Sequence, residues 1–484
     1  MLFLVRLSQK RDFIKLKSEV HEEMAREILK DPLLFRVSAL AKKENFPLFL
    51  VGGYIRDFFL GSPRKDYDLA MPKESASLIP SIEEILQRHF FKVGKDALDT
   101  TTYRTVKEDM SIDLTFLVGQ TIEEDLRRRD FTINSMAFSL RDESFHATET
   151  SIEDLEKRVI RLVSDQSIDR DPLRMLRAIR YLCALAGFRL DPGLKDEISL
   201  KREMICRVPG ERIKMEMDQI LLSPQPALGI NTLYDLNLLL PLFPELKGQK
   251  GLDQGSHHHL TVLSHTLLTI EKITWALEWV ASKGRNIPLN QEEMLCLYYS
   301  ALFHDIGKAD TYSQDGQGRV HFYHHEAFSC LAAERIMERL RFSNSMKQRI
   351  LRLIQNHMRI HNLSWETRET ALKRLVNQTG DETPLLVIHT LADKEASRGI
   401  LSIQKDEVEE SHSLKLLDLF DQKGIVHPSP LITGHDVMAL GYPSGPKVGR
   451  ILNFIKEKQI EGEIKTREDA IELLKKKFGI KPGL

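Results

Sequence analysis

The sequence predicts an α+β protein with a small mixed-sheet head, a largely all-helical body and a helical tail. Short apolar runs and alternating segments between residues 46 and 150 are typical of strands. From residue 151 onward, apolar residues recur at spacings of three and four, which is typical of helices. Eleven of the 17 histidines lie between His257 and His389, which marks a separate helical domain. We therefore expect a helical extension (1–45), the head (46–150), a helical neck (151–250), a histidine-rich domain (251–403) and a helical tail (404–484).

Length and composition are those of a multidomain globular protein. The chain has 484 residues, of which 42% are hydrophobic and 29% charged, and at about 100–200 residues per domain it should form several units. This composition excludes a disordered or fibrous chain. Lys and Arg (69) nearly balance Asp and Glu (70), so contacts with nucleic acid would need local basic patches.

Neither a signal peptide nor a membrane span is expected. The apolar run Met1–Val5 is followed at once by Arg6, and no later segment reaches eighteen uncharged apolar residues. The four cysteines form no CxxC pair, and each has apolar helical neighbours, as small buried side chains do. We therefore expect a cytoplasmic protein in a reducing environment, without a membrane partner.

The head is predicted to alternate strands and helices. Residues 15–45 have helical spacing with many charges, and the run Phe46–Val51 reads as a buried strand that leads into a Gly-Gly turn. The further elements that we expect in this head are two strands, Asp66–Ala70 and Ser111–Leu117, and between them a helix over Ser81–Phe91.

The rest of the chain is predicted to be helical. Four prolines punctuate residues 151–244, so this stretch reads as several helices in a row. Asp310–Val320 is the only long turn-rich insertion in the histidine-rich domain. The chain ends in a helix that carries the basic run Lys475–Lys477.

Two glycines and a pair of carboxylates in the head predict a phosphate and metal site. Gly52 and Gly53 let the backbone approach a phosphate closely, and the helix that follows offers free N–H groups. Asp66 and Asp68 are two apart on a strand and so share a face, where two carboxylates favour a cation such as Mg²⁺ between them. Asp113 has matching parity on its own strand and could complete a two-metal site. Taken alone, the same residues could equally be a plain turn and a solvated strand end.

Four motifs in order resemble those of the class II tRNA nucleotidyltransferase and poly(A) polymerase family. The first is Leu50-Val-Gly-Gly-Tyr-Ile-Arg-Asp57 with the Asp-Tyr-Asp at residues 66–68. The next are Glu124-Asp-Leu-Arg-Arg-Arg-Asp-Phe-Thr-Ile-Asn134, then Asp171-Pro-Leu-Arg-Met-Leu-Arg-Ala-Ile-Arg180, then Glu211-Arg-Ile. The resemblance implies that Asp171 and Arg174 read the base edge, and that the incoming nucleotide contacts Gly52, Gly53, Arg56, Arg129, Arg177 and Arg180.

The third of these motifs also allows an interpretation from spacing alone. Arg170, Arg174 and Arg177 are spaced i, i+4 and i+7, so they are expected on one helix face. A solvated stripe is the usual reading of such a face, but like charges one turn apart repel each other unless they meet an anion, which a triphosphate would supply. Arg170 departs from the family pattern, which has Glu at this position, and this puts the helix start and the nucleotide preference in question.

The histidines predict a second metal site. His304-Asp305 closes an apolar helix, and imidazole with carboxylate suits a divalent transition metal (Mn, Ni, Co or Fe). The order of the candidate ligands resembles that of the HD phosphohydrolase superfamily and implies a two-metal centre at His265, His304, Asp305, His325, His357 and Asp393. A structural remnant of such a site is the alternative. His257–His259 are left out of this site, and His321 and His324 are candidates for contacts to the ligands.

In the tail, residues 432–449 place glycines at a predicted helix–turn–helix junction. The segment resembles the family's RNA-binding tail, although a simple helix hairpin would have the same pattern. Lys447, Arg450 and Lys475–Lys477 would supply positive charge to an RNA backbone.

The predicted function is template-independent addition of C and/or A to the 3′ end of tRNA from CTP and/or ATP. Asp66 and Asp68 would hold Mg²⁺ in this reaction, and the HD domain would add a phosphohydrolase activity. Three alternatives stay open: a poly(A) polymerase, an HD phosphohydrolase whose head only binds RNA or nucleotide, and a non-catalytic RNA-binding protein.

Overall fold

A computed structural model describes residues 22–63, 66–93, 102–107, 110–255, 260–398 and 403–478. Residues 1–21 of the extension and the triplet His257–His259 lie outside the described residues. Within the described ranges, no helix is both long enough and apolar enough to span a membrane.

Contacts between residues divide the chain into two compact units. The first comprises residues 1–208 with 236–238, and the second comprises residues 209–235 with 239–484. The boundary at 208/209 falls inside the predicted neck. The division into five segments stays a prediction.

The head contains more strands than the sequence predicts. Residues 22–28 are helical, which agrees with the helical spacing of the extension. The remaining elements, in chain order, are α1 (Pro32–Lys43), β1 (Phe49–Val51), α2 (Gly53–Leu60), β2 (Asp66–Met71), α3 (Ile79–Leu86), β3 (Phe91–Val93), β4 (Thr102–Lys107), β5 (Met110–Phe116), α4 (Ile122–Leu126), β6 (Met136–Ser139) and β7 (Phe145–Ala147).

These strands form one mixed sheet in the order β3-β4-β5-β2-β1-β6-β7. All neighbours are antiparallel except β2 and β5, which run parallel. Leu50, Leu69 and Ile112 are fully buried in its core. The α+β fold class and the strands containing Asp66, Asp68 and Asp113 are confirmed.

The predicted helix Ser81–Phe91 was wrong at its C-terminal end. The helix ends at Leu86 because Gln87 takes a left-handed conformation (φ 53°), and Phe91 already begins β3. The sequence analysis missed the four strands β3, β4, β6 and β7; three of them have only three or four residues, too few for a clear alternation of apolar and polar side chains.

The N-terminal helix contacts the strand that carries the head carboxylates. Asp31 caps α1 by accepting hydrogen bonds from the backbone N–H groups of Leu33 and Leu34. Its second carboxylate oxygen accepts a hydrogen bond of 2.7 Å from the hydroxyl of Tyr67, the residue between Asp66 and Asp68. The described part of the extension therefore packs on the head within the first unit.

The first unit continues mainly as helices. Its elements are α5 (Ser151–Glu156), β8 (Val159–Ile160), α6 (Ser167–Arg170), α7 (Arg174–Ala184), β9 (Arg189–Leu190) and α8 (Pro192–Lys201). The pair β8 and β9 forms a short parallel two-stranded sheet, so the predicted run of helices is interrupted once.

The second unit is helical apart from one hairpin. Its elements are α9 (Gly210–Leu221), α10 (Pro226–Asp235), α11 (Leu239–Leu242), α12 (Val262–Ser282), α13 (Gln291–Phe303), α14 (Lys308–Thr311), β10 (Tyr312–Gln314), β11 (Val320–Phe322), α15 (His325–Arg339), α16 (Asn344–Asn356), α17 (Met358–His361), α18 (Glu369–Thr379), α19 (Thr383–Ser397), α20 (Ile403–Phe420), α21 (Lys423–Val426), α22 (Gly434–Ala439), α23 (Pro446–Glu461) and α24 (Arg467–Phe478).

Two expectations for this part of the chain need correction. The insertion Asp310–Val320 is not a plain loop, because Tyr312–Gln314 pairs antiparallel with Val320–Phe322. The cysteines are not uniformly buried either: Cys206, in the first unit, is exposed. It lies in the short 3-10 helix Arg202–Arg207, in which only Ile205 is buried, so apolar neighbours there do not imply burial.

Candidate active site and metal centre

The three predicted carboxylates of the head lie on one face of the sheet. In the parallel pair β2–β5, Asp68 is the register partner of Asp113, and Asp66 is the partner of Ser111. The hydroxyl of Ser111 donates a 2.6 Å hydrogen bond to Asp66 Oδ1. Because alternate residues of a strand share a face and register partners lie side by side, Asp66, Asp68 and Asp113 form one acidic surface.

Electrostatics at this surface favour a bound cation. Burial raises the pKa of Asp68, and the charges of Asp113 and Asp66 raise it further, against the opposing charge of Arg129. A divalent ion would offset this repulsion, and carboxylate oxygens are suitable ligands for it. The donor set of Asp66 and Asp68 therefore fits the predicted metal.

Asp113 has a partner that the sequence did not reveal. Arg104 on β4 donates two hydrogen bonds to it, Nε to Oδ1 at 2.7 Å and Nη2 to Oδ2 at 2.5 Å. Both carboxylate oxygens of Asp113 are thus engaged by a guanidinium. Asp66 and Asp68 are free of such a pairing with Arg104, which makes them the better metal ligands of the three.

The glycine turn lies directly against this acidic surface. Gly52 has φ 67°, and a Cβ atom there would lie 3.0 Å from Arg129 Nη1 and 3.4 Å from Asp68 Oδ2. A Cβ atom on Gly53 would lie 3.9 Å from the same Asp68 oxygen. Because glycine has no Cβ, the turn leaves this space open, and the backbone approaches both the carboxylate and the guanidinium.

A cavity of about 280 Å³ opens in the same unit. It brings together four of the predicted nucleotide-binding residues with four that the sequence reasoning missed. Its lining is Val118, Asp125, Arg128, Arg129, Asp130, Asp171, Arg174 and Arg177. The spacing of Asp125 four residues before Arg129 is a signal that could have identified one of the missed residues.

Three of the four cavity arginines, Arg129, Arg174 and Arg177, are held by acceptors of the protein. Arg129 donates to Asp125 Oδ2 through Nε (3.1 Å) and Nη2 (2.9 Å). Arg174 donates to the backbone carbonyls of Arg128 (2.8 Å) and Arg129 (3.1 Å). These contacts fix the guanidinium planes at the cavity wall before any ligand binds.

The prediction of three arginines on one helix face was wrong. Helix α6 ends at Arg170, and Asp171 is extended (φ −148°, ψ 99°) before α7 begins at Arg174. Pro172 explains the break, because proline disfavours helical geometry in the residue before it. Arg170 is exposed and donates to Gln166 at 2.9 Å. The repulsion argument for an anion therefore fails for this set.

Asp130 supplies the counter-charge of Arg177. It accepts hydrogen bonds from Arg177 Nε (2.9 Å) and Nη2 (2.5 Å) and from Asn134 Nδ2 (3.1 Å). Although burial opposes ionisation, Arg177 and Asn134 lower the pKa of Asp130 to about 2. The pair is an ionised part of the cavity wall, in which Asp130 is buried and Arg177 is partly exposed.

Arg56 and Arg180 do not line the cavity. Arg56 is buried and donates to Asn134 Oδ1 (2.8 Å) and Asp57 Oδ1 (2.8 Å). Both guanidinium groups lie over the ring of Tyr181, at 5.1 Å for Arg56 and 4.4 Å for Arg180 from the ring centroid. These contacts favour a role for Arg56 and Arg180 in organising the cavity wall over direct contact with the nucleotide.

In the second unit, the six predicted ligands of the HD site form two adjacent clusters. Within each cluster the ligand atoms lie within 4.8 Å of one another; the clusters are His265, His304 and Asp393, and Asp305, His325 and His357. The closest approaches are His265 Nε2 to Asp393 Oδ1 (2.7 Å) and His325 Nε2 to His357 Nε2 (3.0 Å). All six side chains are buried.

Asp305 connects the two clusters. Its Oδ2 lies 3.2 Å from His304 Nε2, and its Oδ1 lies 3.3 Å from His325 Nε2. A carboxylate that faces one cluster with each oxygen is suited to bridge two metal ions. Lys308 Nζ lies 2.7 Å from Asp305 Oδ2, and despite burial His304 and Lys308 lower the pKa of Asp305 well below its usual range.

The backbone orients the imidazoles of this site. The Nδ1 atoms of His304, His325 and His357 donate to the carbonyls three residues earlier, at 2.9, 3.0 and 2.6 Å. In the neutral ring each Nε2 is then the lone-pair nitrogen, and it faces the cluster. Burial and the neighbouring imidazoles lower the pKa of His357 well below its usual range, which keeps it neutral as a metal ligand must be. The donor set fits a divalent transition metal.

Two further histidines border the clusters and were missed. His361 Nε2 lies 2.9 Å from Asp393 Oδ2. The ring of His389 lies 5.1 Å from that of His304, and neither of its nitrogens has a hydrogen-bond partner among the described residues. Each lies one helical turn from a predicted ligand, His361 after His357 and His389 before Asp393, and this spacing could have identified them.

Among the described residues, the candidates His321 and His324 form no hydrogen bond, ion pair or ring contact with the six ligands. His321 Nε2 lies 3.2 Å from Asp315 Oδ2 within the β10–β11 hairpin, and its ring stacks on that of Tyr323. His324 is exposed and takes a left-handed conformation before α15. The hairpin, which the sequence did not predict, directs both residues.

Substituting Gly307 by alanine should destabilise the second unit. A Cβ atom there would lie 2.4 Å from the carbonyl oxygen of His325 and 2.6 Å from the amide nitrogen of Ser329. Because both are backbone atoms, the loop after His304-Asp305 must move, and we expect the free energy of unfolding to fall by about 1–3 kcal/mol. Chemical denaturation measures this change. Gly316→Ala, where nothing lies within 4 Å, is the control, and equal stability of the two variants would contradict the packing argument.

The tail contains the predicted helix–turn–helix. Helices α22 and α23 flank the turn, and they pack with α24 around Val437, Ile451 and Leu474. The ammonium of Lys447 lies 5.1 Å from the ring centroid of Tyr442, and that of Lys477 lies 3.9 Å from that of Phe454. These basic residues therefore lie on helices that pack around a common core.

Comparisons with known proteins match three stretches of the chain to family profiles. Residues 48–161 match the poly(A) polymerase head domain, residues 187–249 match an RNA and SrmB-binding site of polymerase A, and residues 320–474 match tRNA nucleotidyltransferase domain 2. The first of these stretches contains the acidic surface and the glycine turn.

Relatives match the chain over most of its length. A CC-adding tRNA nucleotidyltransferase of Thermus thermophilus is 32% identical over 88% of this chain and 92% of its own. An A-adding tRNA nucleotidyltransferase of Deinococcus radiodurans is 29% identical over 87% of this chain and 93% of its own. Among solved structures, a CCA-adding enzyme in complex with CTP has a similar fold, with a TM-score of 0.63 and 20% identity over 94% of this chain and 98% of that one.

Proposed function

Because this chain belongs to the tRNA nucleotidyltransferase family, we propose that it adds C, A or both to the 3′ end of tRNA, using CTP, ATP or both. The observation that carries the proposal is the acidic surface of Asp66, Asp68 and Asp113 beside the Gly52–Gly53 turn. The relatives named above add C and A respectively, and the reaction class is the same for both.

Nucleotidyltransferases of this kind use divalent metal ions, and Mg²⁺ is the ion proposed for this head. Asp66 and Asp68 would hold it. When bound, such ions lower the pKa of the RNA 3′-hydroxyl and neutralise the β- and γ-phosphates while pyrophosphate leaves in line. Asp113, held by Arg104, contributes negative charge beside Asp68 and keeps the acidic surface rigid.

The glycine turn and the cavity arginines would bind the nucleotide. Gly52 and Gly53 leave room for the triphosphate beside Asp68, and Arg129 lies at the same point with its plane fixed by Asp125. Arg177 adds a second guanidinium to the cavity wall, while Arg56 and Arg180 support that wall through Tyr181. A preorganised set of donors of this kind holds the phosphates for in-line attack.

Asp171 and Arg174 are proposed to select the base. Both line the cavity. A carboxylate accepts from the exocyclic amino group that C and A share, and a guanidinium donates to ring or carbonyl acceptors. U has no exocyclic amino group, and G carries a carbonyl oxygen where C and A carry theirs, so this pair of side chains could exclude both without a template.

Arg174→Ala should relax the choice of nucleotide as well as slow addition. A good bidentate contact to a base contributes about 1–3 kcal/mol of discrimination, so misincorporation of UTP and GTP should rise by about 5–150-fold. Relative kcat/KM values for the four nucleoside triphosphates measure this. Arg170→Ala is the matched control, because Arg170 is exposed and does not line the cavity. A slow but equally selective Arg174 variant would assign Arg174 to phosphate binding instead.

One experiment tests the proposed function and separates its variants. Transcripts of tRNA that lack the whole CCA end, lack only the final A, or are complete are incubated with each labelled triphosphate, beside an unrelated RNA. Addition to incomplete tRNA alone supports the proposal, and product length distinguishes CC, A and CCA addition. Long A-tails on the unrelated RNA would favour a poly(A) polymerase. No addition at all would leave the HD phosphohydrolase or a non-catalytic RNA-binding protein.

A phosphohydrolase activity of the HD domain is the second candidate function. The two buried clusters joined by Asp305 favour it, because a structural remnant would have little reason to preserve six converging ligands. Mn, Ni, Co or Fe ions held by these residues would supply a nucleophile for hydrolysis of phosphoesters such as 2′,3′-cyclic nucleotides or 2′-nucleotides.

The tail is proposed to bind the RNA. Lys447, Arg450 and Lys475–Lys477 lie on α23 and α24, where they could contact the phosphate backbone of tRNA. The cytoplasmic location expected from the cysteines stays a prediction.

A further inference from the structure

A histidine and a glutamate outside the six-residue HD pattern lie behind one of its ligands. Asp393 Oδ1 faces the first cluster, 2.7 Å from His265 Nε2. Its other oxygen, Oδ2, lies 2.9 Å from His361 Nε2. On the far side of that ring, His361 Nδ1 lies 3.3 Å from Glu409 Oε2. Asp393 is thus contacted from the cluster side and from behind.

We propose that His361, held by Glu409, is a positioning residue that orients Asp393 toward the HD metal centre. The inference rests on the HD site proposed above. A carboxylate ligand can rotate about two side-chain bonds, and a donor on its outer oxygen removes that freedom. Glu409 Oε2 lies 3.3 Å from the other ring nitrogen, and this carboxylate restrains the plane of the imidazole from its far side.

The surroundings of the pair support this assignment. The side chains of His361, Asp393 and Glu409 are 13%, 9% and 5% exposed, so solvent does not compete strongly for these contacts. The three residues come from separate helices, α17, α19 and α20. Lys394 Nζ lies 2.6 Å from Glu410 and anchors α20 to α19 next to the contact.

The arrangement extends the HD centre beyond the boundary that the sequence predicts. Glu409 lies on α20, which was assigned to the tail segment 404–484. The helix therefore contributes to the metal centre of the preceding segment. A buried ion pair with a purely structural role is the competing explanation, and it predicts a change in stability without a change in metal affinity.

Metal affinity distinguishes the proposed positioning role of His361 from a purely structural role. Full-length protein is stripped with a chelator, Mg²⁺ is added in excess to saturate the head, and Ni²⁺ is titrated by calorimetry. His361→Ala should weaken Ni²⁺ binding by about 10–100-fold, the usual effect of losing the partner of a metal ligand. His361→Gln, whose amide can still donate to Asp393, should lose less, and Glu409→Gln should have an intermediate effect.

The control is an exposed pair of the same chemistry. His427 Nε2 lies 2.9 Å from Asp381 Oδ1, and both side chains are 70% exposed, so His427→Ala should bind Ni²⁺ as the wild type does. Thermal unfolding of each chelated variant shows whether it folds. If His361→Ala does not fold, the Ni²⁺ affinity of His361→Gln provides the test. Unchanged affinity in a folded His361 variant overturns the inference. A wild-type chain that binds no Ni²⁺ overturns the proposed HD site and the inference with it, and that result is recognisable from the wild-type titration alone.

Discussion

Asp68→Asn should reduce nucleotide addition by at least about 10²–10³-fold while tRNA affinity changes little. Asparagine keeps the shape of the side chain but removes the charge, and a neutral amide is a poor ligand for Mg²⁺. Removing one preorganised charge-stabilising group from an active site typically has an effect of this size, and metals act on the transition state rather than on RNA docking. Single-turnover addition and a tRNA binding assay measure the two quantities.

Asp142→Asn provides the matched control for this result. Asp142 lies in the same unit and pairs with Arg141 at 2.9 Å, with half of its side chain exposed, so its substitution should leave addition unchanged. Asp66→Asn should behave like Asp68→Asn. Wild-type turnover by either of those two variants would contradict the assignment of the acidic surface as the catalytic site.

At the HD site proposed above, His304→Ala should remove the metal and the proposed phosphoesterase activity and leave nucleotide addition intact. His304 Nε2 is fully buried and has no hydrogen-bond partner among the described residues, while Asp305 and Asp393 lie 3.2 and 3.7 Å away. A buried nitrogen of this kind among carboxylates is poised to bind a cation. His304 is a ligand of the first cluster and is adjacent to Asp305, a ligand of the second. We therefore expect hydrolysis of 2′,3′-cyclic nucleotides to fall below detection.

The measurements are metal content by elemental analysis and a phosphodiesterase assay with Mn²⁺, Ni²⁺, Co²⁺ and Mg²⁺. Asp68→Asn serves as the reciprocal control, since it should lose addition and keep the metal of the HD domain. A wild-type protein that is metal-free and inactive with all four ions would make the histidines a structural remnant.

Local spacing in the sequence was sufficient to predict the parts of the candidate sites that lie on a single strand, turn or helix end. Asp66 and Asp68 are two apart on a strand, so their shared face follows from the period of the strand. The Gly52–Gly53 turn and the His304-Asp305 pair at the end of α13 follow from local patterns in the same way. The α+β fold class also follows, because periodicity changes at about residue 150.

Spacing misled where the backbone departs from a regular element. Arg170 and Arg174 are four apart, but Pro172 breaks the helix between them. The helix before β3 ended early for a comparable reason, a left-handed residue at Gln87. A regular period cannot reveal an interruption that depends on one or two backbone angles.

The sequence by itself determined the family motifs, the fold class and the main candidate ligands, because each is encoded by neighbours along the chain. Only the tertiary structure decided which distant residues meet. Arg104 engages Asp113 because β4 pairs with β5, Asp130 balances Arg177 across 47 residues, and Glu409 reaches His361 from another helix. Such contacts depend on how strands pair and helices pack. Residues far apart in the sequence share no periodic pattern from which these contacts could be predicted.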